Sequence, residues 1–538
     1  MRPIKLFGVW PVAALLLVGT FSCGESEEET PDPAGEVPTA ITVSPSTLVF
    51  AQAGETQSLS VQAPVRPTIQ APDWITVKDG TFNKYQITYT LTAAENEQYV
   101  ENSGTITVSA TGVSSVTVPV SQPGAEEPEI PDGPDDPGSS SGGGDNVATA
   151  LAATLGLGWN MGNHFDAYYN GSWAGDLEGY PAEEAWGNPK ATKATFTGLK
   201  AAGFTSVRIP VSWLNMIGEA PDYTIDATWM NRVYEVVSWA HEAGLSVIVN
   251  THHDENHGVS NTYQWLDIKN AATDSDLKDR ISAEVKAVWT QIADKFSGCG
   301  DWLIMEGFNE LNDGGWGWSS AFKADPSLQC GVLNEWNQVF VDAVRATGGN
   351  NATRWLGVPT YAANPDYISY LTMPDDPADR IMISVHYYNP SEYTIGSKQY
   401  QQWGHTGQTG KKETWGDEDD VKKMFSGLYD NYVAKGIPVY IGEFGCSFRD
   451  KTGDPVGWEF FKYYLEYIVK AAKTWNLPCF VWDNGNPGYG AEHHAYIDHG
   501  TGEYVGNSKE VVATMVKAWF TEDSSYTLQS VYDSAPTP

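Results

Sequence analysis

Three shortages in the sequence each remove a class of function. Basic residues are few: 32 Lys and Arg stand against 68 Asp and Glu in 538 residues, a formal net charge of −36. That sign repels phosphate backbones, so nucleic acid is excluded as a partner and a neutral or cationic one is expected. Cysteine is scarce and never paired as CxxC. The wide spacing of Cys299, Cys330, Cys446 and Cys479 argues against a zinc ribbon. These four are expected to be structural, with disulfides and buried thiols both open. Long apolar runs are missing too, the stretch from Pro11 to Val18 being too short to span a bilayer. No nucleotide or flavin motif is visible, and the chemistry inferred below requires neither a cofactor nor a metal.

Aromatics, by contrast, are plentiful. They reach 12 % of residues, with 21 Trp and 27 Tyr, an excess suited to stacking on flat apolar faces such as those of sugar rings. At the N-terminus, basic Arg2 and Lys5 precede the short apolar stretch and then small residues before Cys23. This is the pattern of an export signal. It resembles a bacterial lipoprotein signal, with residues 1–22 removed and Cys23 carrying lipid. The acidic tether 23–37, with "GESEEET", resembles the tag that sends Bacteroidetes lipoproteins to the cell surface. The resemblance implies a protein lipid-anchored to the outer membrane.

From 38 to 123 the chain runs in short alternating stretches such as "YQITYTLTA" and "GTITVSA", the pattern of a small immunoglobulin-like β-sandwich. "VSPSTLVFAQAGETQSLSV", "PDWITV" and the closing strands resemble a BACON domain. That family's name suggests sugar binding; a spacer role is the better supported here, because Trp74 sits in a strand-like stretch where it reads as core. Residues 124–147, rich in Pro, Gly, Ser and acids, form a linker.

From 148 to 522, followed by a tail at 523–538, strand-like runs alternate with amphipathic helical stretches eight times. That alternation predicts an α/β fold, a (β/α)8 TIM barrel, with a doubly wound sheet as the alternative. "DATWMNRVYEVVSWAHEAG" reads as a helix stopped at Gly244, and Asn188 with Pro189 reads as the cap and first turn of the first barrel helix.

A barrel gathers the C-terminal ends of its strands at the active site. The polar residues closing the runs are Asn163, Arg208, His252 with His253, Asn309 with Glu310, His386 with Tyr388, Glu443 and Trp482. Two carboxylates, Glu310 and Glu443, can face each other across the mouth. Glycoside hydrolysis needs such a pair, one to protonate the leaving oxygen and one to attack the anomeric carbon or activate water. A separation of about 5 Å would mean retention of configuration and a longer one inversion.

The motifs "VRIPVSW", "THHD", "GFNE", "HYY", "IGEFG" and "VWDNG" occur in that order, and the region they span resembles glycoside hydrolase family 5, a retaining barrel family. The resemblance implies Glu310 as general acid/base and Glu443 as nucleophile, through a covalent glycosyl-enzyme intermediate. It implies Arg208 and Tyr388 holding Glu443 ionised, Asn309 on the sugar 2-hydroxyl, His386 assisting Glu310 and Trp482 under the reacting sugar, with Asn163, His252 and His253 supporting. A guanidinium neighbour should lower the pKa of Glu443, while a drier setting keeps Glu310 protonated. "GWNMGNHFDA" and "AWGNP" look like subfamily 4, implying an endo-β-1,4-glucanase on plant-wall β-glucan, xyloglucan favoured; a monomer is expected. An endo-β-1,4-mannanase, a mixed-linkage β-glucanase and a non-catalytic surface glycan-binding protein are the alternatives. A metal hydrolase built on His164, His252, His253, Asp254 and His386 is disfavoured, because adjacent histidines on one strand point to opposite faces. Trp173, Trp186, Trp265, Trp316, Trp318, Trp403 and Trp415 fall in or near predicted loops and are candidates for stacking subsites along a long groove.

Overall fold

A computed structural model describes residues 37–96, 101–124, 146–171, 173–257, 263–396 and 400–538. The expected signal peptide, Cys23 and most of the tether and linker lie outside them. The chain divides into two compact units, Met1–Glu127 and Pro128–Pro538.

In the first unit, two four-stranded sheets are formed, one by Thr42–Ser44, Glu55–Gln62, Gln86–Ala93 and Ile75–Lys78, the other by Leu48–Val49, Val116–Gln122, Asn102–Ser109 and Thr68–Gln70. Strict alternation explains the core. Along Gln86–Ala93, Ile87, Tyr89, Leu91 and Ala93 are buried while the threonines between them face outward or half-outward. Across the solvent face Thr56 and Thr92 pair at 3.0 Å. Trp74 packs edge-on against Phe50 at 5.8 Å, at the margin of this core.

In the second unit the eight strands are β1 (Leu157–Met161), β2 (Ser206–Ile209), β3 (Ser246–Asn250), β4 (Leu303–Glu306), β5 (Leu356–Pro359), β6 (Ile381–Tyr387), β7 (Val439–Phe444) and β8 (Cys479–Asp483). All neighbours are parallel, and β8 pairs with β1, closing the barrel. That closure excludes the doubly wound alternative.

Side chains alternate between two environments. Trp159, Val207, Val249, Met305, Ile383, Ile441 and Val481 point outward and pack under the surrounding helices. The helix Ala227–Glu242 shows how they are covered: Asp226 caps it by accepting from the Trp229 amide, and Val233, Val236, Val237 and Ala240 form its buried stripe. Each such aliphatic side chain contributes about 1.5–3 kcal/mol by leaving water, and Asp226→Ala would cost about 1 kcal/mol. Gly244, at φ +80°, follows the stop.

Inside, Ile248, Ile304, Met382, Tyr440 and Phe480 form an apolar floor sealed from below by Leu151 and Leu155 of the helix Val147–Leu155. Immediately above it the inward positions become polar: Arg208, Asn250, Glu306 and Ser384, all fully buried.

Several elements depart from the expected boundaries. β3 stops at Asn250 and β4 at Glu306, so His252, His253, Asn309 and Glu310, which close these runs in the sequence, lie beyond the strands. The first barrel helix after β1 is Lys193–Ala202, capped by Thr192 rather than Asn188. Asn188 instead donates its amide to the carbonyls of Asn163 and Asn484, tying the β1 loop to the β8 loop. Residues 523–538 are packed: Leu528–Asp533 is helical with Val531 buried, and Tyr532 stacks on His405 at 3.9 Å. Cys299, Cys330, Cys446 and Cys479 are buried free thiols.

Candidate active site

The polar layer is organised by Arg208. A guanidinium in a dry barrel requires carboxylates and carbonyls around its planar fork. It donates through Nε to Glu306 Oε2 (2.8 Å), through Nη1 to Glu443 Oε1 (2.8 Å) and Asn160 Oδ1 (3.0 Å), and through Nη2 to Asn309 Oδ1 (2.8 Å). Glu306 also accepts from the hydroxyls of Ser384 (2.5 Å) and Tyr440 (2.8 Å) and from the Asn250 amide (3.0 Å). Burial alone would push the Glu306 carboxyl up, yet Arg208 and these donors hold it below the usual range, ionised.

Glu443 should point outward by alternation. Register irregularities between Val385 and His386, and between Ile441 and Phe444, reset the pleat and turn it inward. There it accepts from Arg208 and, on its other oxygen, from the Tyr388 hydroxyl at 2.9 Å. Glu310 lies four residues beyond the end of β4. His386 Nδ1 is 2.7 Å from Glu310 Oε1 and 3.6 Å from Glu443 Oε2, and one oxygen of each carboxylate falls within 4.8 Å of the other.

The two carboxyls are tuned differently. Burial, reinforced by the charge of Glu255, pushes Glu310 up to about 8. The expected lowering of Glu443 is corrected by the structure: burial raises it above the ordinary value against the opposing pull of His386, Arg208 and Tyr388. Glu443 therefore has two direct donors that favour its charged form, and Glu310 has none beyond an imidazole that burial holds down to about 4 and hence neutral.

Around this pair stand the remaining predicted residues. Asn309 has its carbonyl oxygen held by Arg208 while Nδ2 is buried without a partner, as is His386 Nε2. Each is poised for a group that enters the site. Trp482 lies parallel to His252 at 5.8 Å. A Cβ at Gly162 would come within 2.5 Å of the indole, so only glycine there lets the ring lie flat. Asn163, His252 and His253 line the same cleft.

The adjacent histidines were expected on opposite faces, but they lie past the end of β3, and both turn toward Asp166, His252 at 4.0 Å and His253 at 3.4 Å. Burial keeps His252 neutral. It opposes charge on His253 as well, but Asp166 and Glu255, 3.6 Å away on the other ring nitrogen, hold that ring protonated.

Among the described residues, two groups bring metal-ligating atoms within 4.8 Å of one another, Asp166 with His252 and His253, and Glu310 with His386 and Glu443. The five residues of the metal-hydrolase alternative do not converge. His164 is committed to Glu183 (2.9 Å) and His499, Asp254 caps the Trp213 and Leu214 amides, and His386 serves Glu310.

The cleft above these groups encloses about 880 Å³. Of the loop tryptophans, Trp316, Trp318 and Trp415 line it. Trp403 is buried among Tyr463, Tyr464 and Tyr467, Trp265 donates to Asp254, Trp186 packs on Tyr168 and His253, and Trp173 stands exposed beside Tyr169. Sequence reasoning missed Glu306, Asp166 and Glu492, the last a further carboxylate on the cleft wall. For Glu306 a signal existed: an acid inside the apolar run "LIME" must be paired.

Comparison with known proteins gives a concordant result. The family described as cellulase (glycosyl hydrolase family 5) matches residues 166–488. Endoglucanase A of Paenibacillus barcinonensis is 38 % identical over 353 residues, 63 % of this chain and 83 % of the relative. The xyloglucan-specific endo-β-1,4-glucanase BoGH5A of Bacteroides ovatus is 32 % identical over 499 residues, covering 90 % and 92 %. A solved structure of a Bacteroidetes-affiliated GH5 cellulase linked with a polysaccharide utilization locus aligns with a TM-score of 0.68 at 42 % identity, over 73 % of this chain and 98 % of that one.

Proposed function

The chain belongs to glycosyl hydrolase family 5, and on that premise we propose that it is a retaining endo-β-1,4-glucanase in which Glu310 is the acid/base and Glu443 the nucleophile. Its endoglucanase relatives establish the broad class, a glycoside hydrolase acting on β-1,4-glucan. The observation that carries the finer reading is the unequal bonding of two close carboxylates. Glu443 accepts from a guanidinium and a phenol, whereas Glu310 has only a neutral imidazole at 2.7 Å. The first is held as an anion and the second keeps a proton to give.

In this mechanism Glu443 attacks the anomeric carbon while Glu310 protonates the departing oxygen, and the sugar becomes bonded to Glu443. Glu310, now ionised, takes a proton from water, which releases the sugar with its configuration retained. The approach of the carboxylate oxygens within 4.8 Å supports retention, since inversion needs a gap wide enough for the attacking water. The free Asn309 Nδ2 bonds the 2-hydroxyl, and Trp482 supports the ring in the reacting position.

Xyloglucan is the favoured substrate, supported by the specificity named for the Bacteroides ovatus relative. The subfamily 4 motifs, the BACON-like unit acting as a spacer and the lipid anchor at Cys23 on the outer membrane belong to the same reading, supported by the sequence patterns that suggest them; a monomer is proposed with it.

The experiment is reducing-end release by protein lacking its first 23 residues on xyloglucan, carboxymethyl cellulose, barley β-glucan, galactomannan and xylan, with Glu443→Ala as control. The anomer formed first is followed by NMR. Cleavage of xyloglucan to the β-anomer by the parent alone is expected. Mannan cleavage, an α-anomer, or binding without turnover would each overturn the corresponding part.

A further inference from the structure

The cleft does not end at Trp415. A second cavity, also of about 880 Å³, shares Pro365, Asp366, Asn389 and Trp415 with it. Beyond those shared residues it runs along the helix Glu418–Asn431, whose Lys423, Gly427 and Asn431 form its far wall together with Lys435. The Trp415 ring is 45 % exposed and borders both spaces. Its loop is fixed from behind, where Gly416 donates its amide to Asp420 (2.5 Å) and accepts from Trp403 Nε1 (2.7 Å).

From this continuity we infer that the second cavity is a distal binding site for further units of the same neutral β-glucan chain, on the leaving-group side. The inference rests on the reading given under Proposed function. Its side follows from topology. Pro365 and Asp366 follow β5 and Asn389 follows β6, next to Glu310 after β4 and away from Trp482 on β8. A leaving group protonated by Glu310 must extend toward these loops. The chemistry matches a polyol: one indole face to stack on a sugar ring, with ammonium, amide and carboxylate groups spaced around it to exchange hydrogen bonds with hydroxyls. Lys423 and Lys435 are exposed and form no ion pair among the described residues, so their donors are free for a ligand.

Gly427 gives a clean test. A Cβ there meets nothing within 4 Å, and the residue sits inside a helix that loses little by the change. Gly427→Trp should fill the cavity without disturbing the barrel, and Gly331→Trp, at an equally open helical position elsewhere, is the control. The readout is kcat/KM on an aryl β-cellotrioside, on cellohexaose and on xyloglucan, alongside retention in a xyloglucan affinity gel. Gly427→Trp is expected to lower kcat/KM on hexaose and polymer about tenfold, the weight of one or two net hydrogen bonds, and to weaken gel retention. The aryl glycoside rate and the control variant should not change. Equal losses on all three substrates, or no loss on any, would overturn the inference. So would a loss on polymer with hexaose spared, which would assign the cavity to a separate chain. A parent that cuts no β-1,4-glucan overturns the enzyme reading itself, and gel retention then reports on the cavity alone.

Discussion

Arg208 and Glu306 form a fully buried ion pair, Nε to Oε2 at 2.8 Å, directly beneath the proposed nucleophile. Neither touches the cleft, yet the pair fixes the guanidinium that Glu443 and Asn309 depend on. Removing one partner of such a pair leaves an uncompensated charge in a dry interior. Glu306→Ala should lose about 3–5 kcal/mol in chemical denaturation, and its residual folded fraction should have reduced kcat. A variant that retains parent stability would show that Arg208 finds other partners.

Tyr388→Phe isolates the phenol. The hydroxyl favours the charged form of Glu443, so its loss raises that pKa further. The acid limb of the kcat/KM profile should move to higher pH, with kcat down about 10²–10³-fold, on the scale of one lost electrostatic donor, and KM little changed. An unmoved acid limb would detach Tyr388 from the nucleophile.

Glu310, with its carboxyl pushed up to about 8, sets the alkaline limb. Rate should fall as pH rises through about 8, and Glu310→Gln should lose about 10²–10⁴-fold. Stability follows the same proton. A carboxyl raised above its unfolded value of 4.5 contributes stability that is fully present below that value and is lost as pH rises through about 8. Thermal melts across that window should show the parent declining more steeply than Glu310→Gln.

The unpartnered Nδ2 of Asn309 predicts a specific cost. Asn309→Ala should reduce kcat/KM by about 1–3 kcal/mol on a normal glucoside. On the 2-deoxy analogue it should change little. Equal losses on both substrates would place the amide elsewhere.

Cys299, Cys330, Cys446 and Cys479 are free and buried, with burial pushing Cys446 up to about 11 and Cys299 to about 12. A thiol reagent should find none of them in the folded protein and all four after denaturation. Reductant should leave the melting temperature unchanged.

The barrel was legible because each strand carries an apolar, two-faced pattern and each helix a single stripe, and these periods survive in one dimension. Glu310 and Glu443 were found because they close such runs. What periodicity cannot register is where the hydrogen-bonded strand stops within such a run. β3 ends at Asn250, so His252 and His253 share Asp166 instead of facing apart. Glu306 hid inside an apolar run because its partner is 98 residues away in sequence. Trp403 and Trp415 looked equivalent as loop tryptophans, yet three tyrosines of one helix enclose the first and leave the second open.

The apolar floor beneath the polar layer has an electrical consequence. Ile248, Ile304, Met382 and Phe480, backed by Leu151 and Leu155, place apolar side chains under Arg208. The barrel is thus a one-sided dielectric: beyond what Glu306 neutralises, the guanidinium's field is screened little from below and extends upward, through Glu443 and into the cleft. Salt added to the solution reaches that field from the cleft side alone, so a bound polysaccharide that fills the cleft closes the last route by which the charge at the reaction centre could be diluted.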